Sequence, residues 1–213
     1  MTTEEFSNEF DILYNNIMSN QAPGLNEYEK SVFLTEAQNA IVLEIYTGRS
    51  AKGLSFESSE ESRRLLQNLI TKNQYTKLNI IDGIATINKP INLLAIVYED
   101  CILEDNNKAI VVPTKYDSLY GTLNNPFKGP SKNRVLRVDG SSIELYSKED
   151  IKLYNMTYLR KPTPIVLEDL EGVSIEGVSI ETECELDSLL HIDILQRAVL
   201  LAKSAFIGYQ IQK

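Results

Sequence analysis

The stretch Asn26-Glu-Tyr-Glu-Lys-Ser-Val-Phe-Leu-Thr-Glu-Ala-Gln-Asn-Ala-Ile-Val-Leu-Glu-Ile-Tyr-Thr-Gly48 carries an explicit helical grammar. Asn26 and Glu29 form a capping-box start. Leu34, Ala37, Ile41 and Ile45 return at helical spacing, flanked by Phe33 and Ala40, and Gly48 supplies the stop. Upstream, Phe6, Phe10, Leu13 and Ile17 recur at steps of four, three and four, which predicts a helix ending near Asn20. Gln21-Ala-Pro-Gly-Leu breaks the chain between the two, because Pro23 and Gly24 do not continue a helix comfortably. Two helices joined by so short a loop predict an antiparallel hairpin.

Downstream, Ser58 or Ser59 opens a third helix with Glu60 and Glu61 in its positive first turn, running through Leu65, Leu66, Leu69 and Ile70. The pattern then changes. Ile91 to Leu103 and Ala109 to Val112 are rich in branched residues and separated by the turn-like Glu104-Asp-Asn-Asn, so they predict paired strands. Tyr116 to Phe127 reads as a short helix or turn ended by Pro126. Val135 to Val138 and Ile143 to Tyr146 flank Asp139-Gly140, a hairpin signal, and Ile151 to Tyr158 forms a further strand.

After Lys161-Pro-Thr-Pro comes an identical tandem repeat, Gly172-Val-Ser-Ile-Glu and Gly177-Val-Ser-Ile-Glu. Two copies are too few for a solenoid and predict a local hairpin or linker. From Asp187 to Gly208 a helix is apolar over most of its girth, leaving the polar stripe Asp193, Gln196, Arg197, Lys203 and Ser204. The expected class is α+β: the N-terminal helical hairpin and the long C-terminal helix form a helical bundle with an inserted β-rich subdomain. The expected divisions are 1–90 for the helical part, 91–164 for the β-rich insertion, 165–186 for an acidic linker or hairpin, and 187–213 for the helix completing the core.

At 213 residues, 43% hydrophobic and 24% charged, the composition is that of a globular protein, burying roughly 70% of its unfolded surface. No run approaches the ~20 apolar residues of a membrane span, so no membrane partner is expected. The start, Met1-Thr-Thr-Glu-Glu, lacks a secretory pattern, which predicts assembly in the cytoplasm. Cys101 and Cys184 then read as reduced thiols. A net charge of −9 disfavours a general nucleic-acid binder. Residues 1–48 hold eight acids against Lys30 alone, and residues 165–190 hold eight acids and no base; the middle, 49–164, is basic by difference.

His191 is the only histidine, so a Ser-His-Asp relay has one possible centre and Cys184 is its nearest thiol in sequence; a packing histidine is the commoner role. Cys101, Cys184 and His191 lack the spacing of a zinc site, and no Gly-rich phosphate loop occurs. The acids of 168–187 read as a solvated segment, and no spacing nominates a glycosidase-type pair. No cofactor and no enzymatic activity are expected. Lys128, Lys132, Arg134 and Arg137 form a candidate basic patch, read as solvated or facing another subunit.

Several words of the chain resemble structural proteins of crAss-like bacteriophages. They are Asn8-Glu-Phe-Asp-Ile-Leu-Tyr-Asn-Asn-Ile and the run from Ser19 to Gln38, then Asn125-Pro-Phe-Lys-Gly-Pro with Arg134 to Arg137. Tyr158-Leu-Arg-Lys-Pro-Thr-Pro-Ile and Cys184-Glu-Leu with His191 to Lys203 complete the set. The order of elements is similar to that of head-to-tail connector proteins, the adaptor rings beneath the portal. The resemblance implies a homo-oligomeric ring, commonly of about twelve subunits, that binds the portal protein and neighbouring tail rings in the virion neck. It also implies that genomic DNA passes through the lumen without specific binding. The broadly apolar C-terminal helix is the candidate subunit or portal interface, through Leu195, Val199, Ala202, Phe206 and Tyr209. A stopper or tail-hub ring would read much the same; a carboxylate hydrolase and a host-directed binding module are the alternatives from other classes.

Overall fold

The computed structural model describes residues 1–17, 24–49, 55–76 and 78–211, without the side chains of residues 16, 17, 79 and 207–211. Pro23, the predicted helix end at Asn20 and the last two residues of the chain lie outside the described residues. The chain forms two compact units: residues 1–69 with 161–213, and residues 70–160.

In the first unit α1 (Thr3–Ile17), α2 (Glu27–Thr47) and the short α3 (Glu60–Leu65) precede the excursion into the second unit, and α5 (His191–Ile211) follows it. The caps are those the sequence predicts. Asn26 Oδ1 accepts from Glu29 N at 2.8 Å while Glu29 Oε2 accepts from Asn26 N at 3.0 Å. Gly48 closes α2 in the left-handed region at φ 73°, and Ser59 caps α3 through Ser62 N. Along α1 the buried stripe is Phe6, Phe10 and Tyr14, with Tyr14 in place of the expected Leu13. Each phenylalanine is wholly buried, contributing about 1.5–3 kcal/mol.

The expected helical bundle with a β-rich insertion is corrected by this architecture. The molecule is a mixed α+β protein, with five α-helices and one eight-stranded sheet among the described residues. Helices α1 and α2 meet only slightly, and each packs mainly on α5. The reason lies in the second face of α2. Ser31, Thr35 and Gln38 are buried, and they bond to the backbone of an extended segment instead of facing water or a helix. Leu167 N donates to Ser31 Oγ at 3.0 Å, Ile165 N to Thr35 Oγ1 at 3.2 Å, and Gln38 Nε2 to the Thr163 carbonyl at 2.7 Å. Alternate residues of the extended chain thus meet successive turns of the helix.

The second unit holds the sheet: β1 (Ile70–Tyr75), β2 (Asn79–Ile81), β3 (Ile84–Ile87), β4 (Leu93–Leu103), β5 (Lys108–Pro113), β6 (Arg134–Asp139), β7 (Ile143–Tyr146) and β8 (Ile151–Arg160). The order is β1-β8-β4-β5-β6-β7-β3-β2, antiparallel except for β5 with β6. Three register irregularities in β4 against β8 raise its local twist. Inward side chains from β3 to β8, including Ile87, Cys101, Val135, Leu145, Tyr154 and Met156, form one core. The one helix among the described residues of this unit, α4 (Tyr116–Leu123), buries none of its residues.

Strands β1 to β3 fall where the sequence predicts none, and Ile70 begins a strand instead of ending the third helix. Asp82-Gly83, with φ 53° and 77°, makes the two-residue turn between β2 and β3, the left-handed pair that an Asp-Gly dipeptide favours. Asp139-Gly140 closes a wider loop, with Asp139 paired to Ile143.

Candidate functional site

Parallel pairing of β5 and β6 requires a crossover, and residues 114–133 supply it with α4 at its centre. The crossover continues into Asn125-Pro-Phe-Lys-Gly-Pro. Asn125 Oδ1 accepts from Phe127 N at 2.8 Å and from Lys128 N at 3.1 Å, and Gly129 N donates to the Asn125 carbonyl at 2.8 Å. A Cβ on Gly129 would lie 2.8 Å from that carbonyl oxygen, so glycine is required by close approach. The turn leaves Phe127 85% exposed, near Tyr120 in sequence at 82%. Between the crossover and the strands lies a cleft of about 510 Å³ whose lining includes Ile110, Thr122, Phe127, Lys115, Lys128 and Arg134. Its charged lining is wholly basic.

The candidate basic patch therefore divides. Lys128 and Arg134 line the cleft, where the Arg134 guanidinium donates to the Phe127 carbonyl, and Lys132 is exposed on the turn before β6. Arg137 is buried elsewhere, 3.3 Å from Glu99 and 3.1 Å from Asp139, which also meets Lys89 at 2.9 Å. The Tyr154 hydroxyl donates to Glu99 at 2.8 Å. Burial raises the Glu99 carboxyl above its ordinary range, opposed by the Arg137 charge and the Tyr154 hydrogen bond. Burial, and next the negative charge of Glu99, push the Tyr154 hydroxyl up. This is an internal charge cluster, and Glu99 was hidden within an apolar run of the sequence.

The candidate interface on α5 also divides. Leu195, Val199 and Ala202 are buried within the chain itself, Phe206 is half-buried, and the Tyr209 side chain lies outside the described residues. Leu189, Ile192 and Leu200 are large exposed apolar residues of this region. A groove of about 690 Å³ in the first unit is lined by Ile41, Ile45, Leu65, Leu190, Leu200 and Leu201, among others, with Glu44 and Arg197 paired at 2.6 Å on its wall.

A family model described as phage tail ring protein 3/4 matches residues 1–212. The chain belongs to this family. It is 44% identical to ring protein 3 of Bacteroides phage crAss001 over 218 aligned residues, covering 95% of both chains. It is 39% identical to ring protein 4/5 of the same phage over 227, covering 98% of this chain and 94% of the relative. Ring proteins of this family are structural components of the phage neck and tail, so the chain is a virion protein.

In this ring protein His191 and Cys184 are both engaged by groups of the chain itself. The Met1 amine donates to His191 Nδ1 at 2.8 Å, and Nε2, carrying the proton, lies 3.2 Å from the Leu186 carbonyl. The Cys184 thiol donates to Gln38 Oε1 at 3.3 Å. Burial pushes the Cys101 thiol up to about 12 and Cys184 up to about 11. Among the described residues no group of three His, Cys, Asp or Glu is placed to hold a metal ion, and no helix is long and apolar enough to cross a membrane.

Proposed function

We propose that this ring protein is a subunit of a closed homo-oligomeric ring in the head-to-tail connector of a crAss-like phage. The ring binds the portal, stacks on neighbouring tail rings and forms part of the DNA conduit. One observation carries the reading: the chain aligns nearly end to end with two differently numbered ring proteins of one phage. One architecture thus serves more than one ring. About twelve subunits, assembled in the host cytoplasm, is the number the connector resemblance implies.

Glu4, Glu5, Glu9, Glu29 and Glu36 are exposed on α1 and α2. Turned toward the lumen, they would repel phosphate and let DNA slide without sticking. A second reading, a ring further down the tail, is favoured by the family's own description as tail ring proteins.

The test is the mass of the purified chain, alone and with its candidate portal, followed by electron-microscope class averages. A ring stacked coaxially on the portal supports the connector reading. A ring indifferent to the portal supports the tail position, and a persistent monomer that joins no virion component overturns both.

A further inference from the structure

The tandem repeat is unlike itself in three dimensions. Ile175 and Val178 exchange backbone hydrogen bonds of 2.8 and 2.9 Å across Glu176 and Gly177, both at positive φ, so the junction of the two pentapeptides is a tight hairpin turn. Its base is fixed by reciprocal bonds of 3.1 and 2.9 Å between Val166 and Thr182. The first isoleucine, Ile175, is 7% exposed, whereas its counterpart Ile180 is 66% exposed and Val173 is 48% exposed. Around them residues 168–183 carry six carboxylates and no base. Glu176 pairs with Lys161 at 2.5 Å, Thr3 donates to Glu181, and Glu181 N donates to Asp169 at 2.7 Å. Glu168, Glu171 and Glu183 are exposed and make no ion pair among the described residues.

The cleft between α4 and the β5–β6 edge is the chemical complement of this turn. It offers Lys115, Lys128 and Arg134 without an acid, beside the exposed apolar surfaces of Ile110 and Phe127. We propose that the acidic repeat turn of one copy seats in the basic cleft of the next copy, an assignment that rests on the ring reading above. A closed ring requires a head-to-tail junction between two unlike surfaces of one chain. An anionic turn with apolar tips and a cationic apolar-walled cleft are such a pair. The carboxylates set orientation and encounter rate, and Ile180 and Val173 lose water on seating. The repeat thereby gains a role: Ile175 of its first copy anchors the turn in the chain, while Val173 of the first copy and Ile180 of the second are presented outward.

The experiment uses two charge reversals in the full chain, Lys115→Glu with Lys128→Glu, and Glu168→Lys with Glu171→Lys. All four side chains are exposed. Assembly is read by mass, alone and with the candidate portal. Each double variant alone faces like charge at every junction, and loss of the ring is expected. An equimolar mixture restores opposite charge at every junction when the two variants alternate, so rings return. Wild-type rings with both variants also forming rings alone overturn the pairing and leave the ring reading intact. Variants that stay monomeric even when mixed overturn it as well, because the charges then do not meet each other. Loss of duplex DNA retention in the lysine variant with rings preserved assigns the cleft to nucleic acid and overturns it too. A wild-type chain that never assembles removes the ring reading itself.

Discussion

Thr35 shows how much one hydroxyl can hold. It is 3% exposed, accepts from Ile165 N at 3.2 Å and donates to the Ile165 carbonyl at 3.3 Å. Thr35→Val keeps the shape and strands both backbone groups, and the expected cost is about 2–4 kcal/mol. Urea unfolding measures it, and an unchanged midpoint would show that the Ile165 backbone finds other partners. His191 makes a second prediction. Burial lowers its basicity, helped by the Met1 amine and opposed by the Leu186 carbonyl and Asp187. The unfolded chain therefore takes up a proton near the ordinary histidine value of about 6.5 that the folded chain refuses. Stability is expected to fall as pH drops through that value, and His191→Gln is expected to remove this slope. Glu99, raised by burial, acts in the opposite direction, so the comparison is wild type against variant at each pH. A packing role for His191 was the reading the sequence favours, whereas the role of Thr35 was not legible there. Thr35 occupies a polar position of an amphipathic pattern, and nothing local reveals that residues 130 positions away cover it.

At the scale of elements, local chemistry was legible wherever it is self-contained: the capping box of α2, the Ser59 cap of α3 and the β6–β7 hairpin all lie where the sequence places them. The Asp82-Gly83 signal is as strong as Asp139-Gly140, yet its flanks, only three and four residues long, are too short to read as strands from sequence. Helix α5 carries the element-scale prediction. Its buried side chains Leu195, Val199 and Ala202 belong to the core of its own unit, while Ser204 and Ala205 are exposed. Deleting residues 204–213 is therefore expected to leave a folded monomer and to abolish assembly. Helical circular dichroism with a monomer mass would agree, and normal rings from the truncated chain would refute an interface role for the end of α5.

Across the whole molecule, segregated charge is the dominant feature, with acidic flanks around a basic middle. A density map of the assembled ring is expected to place the carboxylates of α1 and α2 on the lumen, and a map with them facing outward would end the repelling-conduit idea. Sequence alone determined the segregated charge, most helices and five of the eight strands, because these depend on spacing and turn residues within a few positions. The family resemblance, too, was carried by words of the linear chain. Tertiary structure alone decided that β1 pairs with β8, that β5 and β6 run parallel, and that an extended segment covers the second face of α2. It also separated Arg137 from Lys128 and Arg134, and Ile175 from Ile180, although each set looks uniform in sequence. The physical reason is the same throughout: a local pattern fixes which face of an element is apolar, whereas the partner of that face is chosen by contacts among residues far apart in the chain.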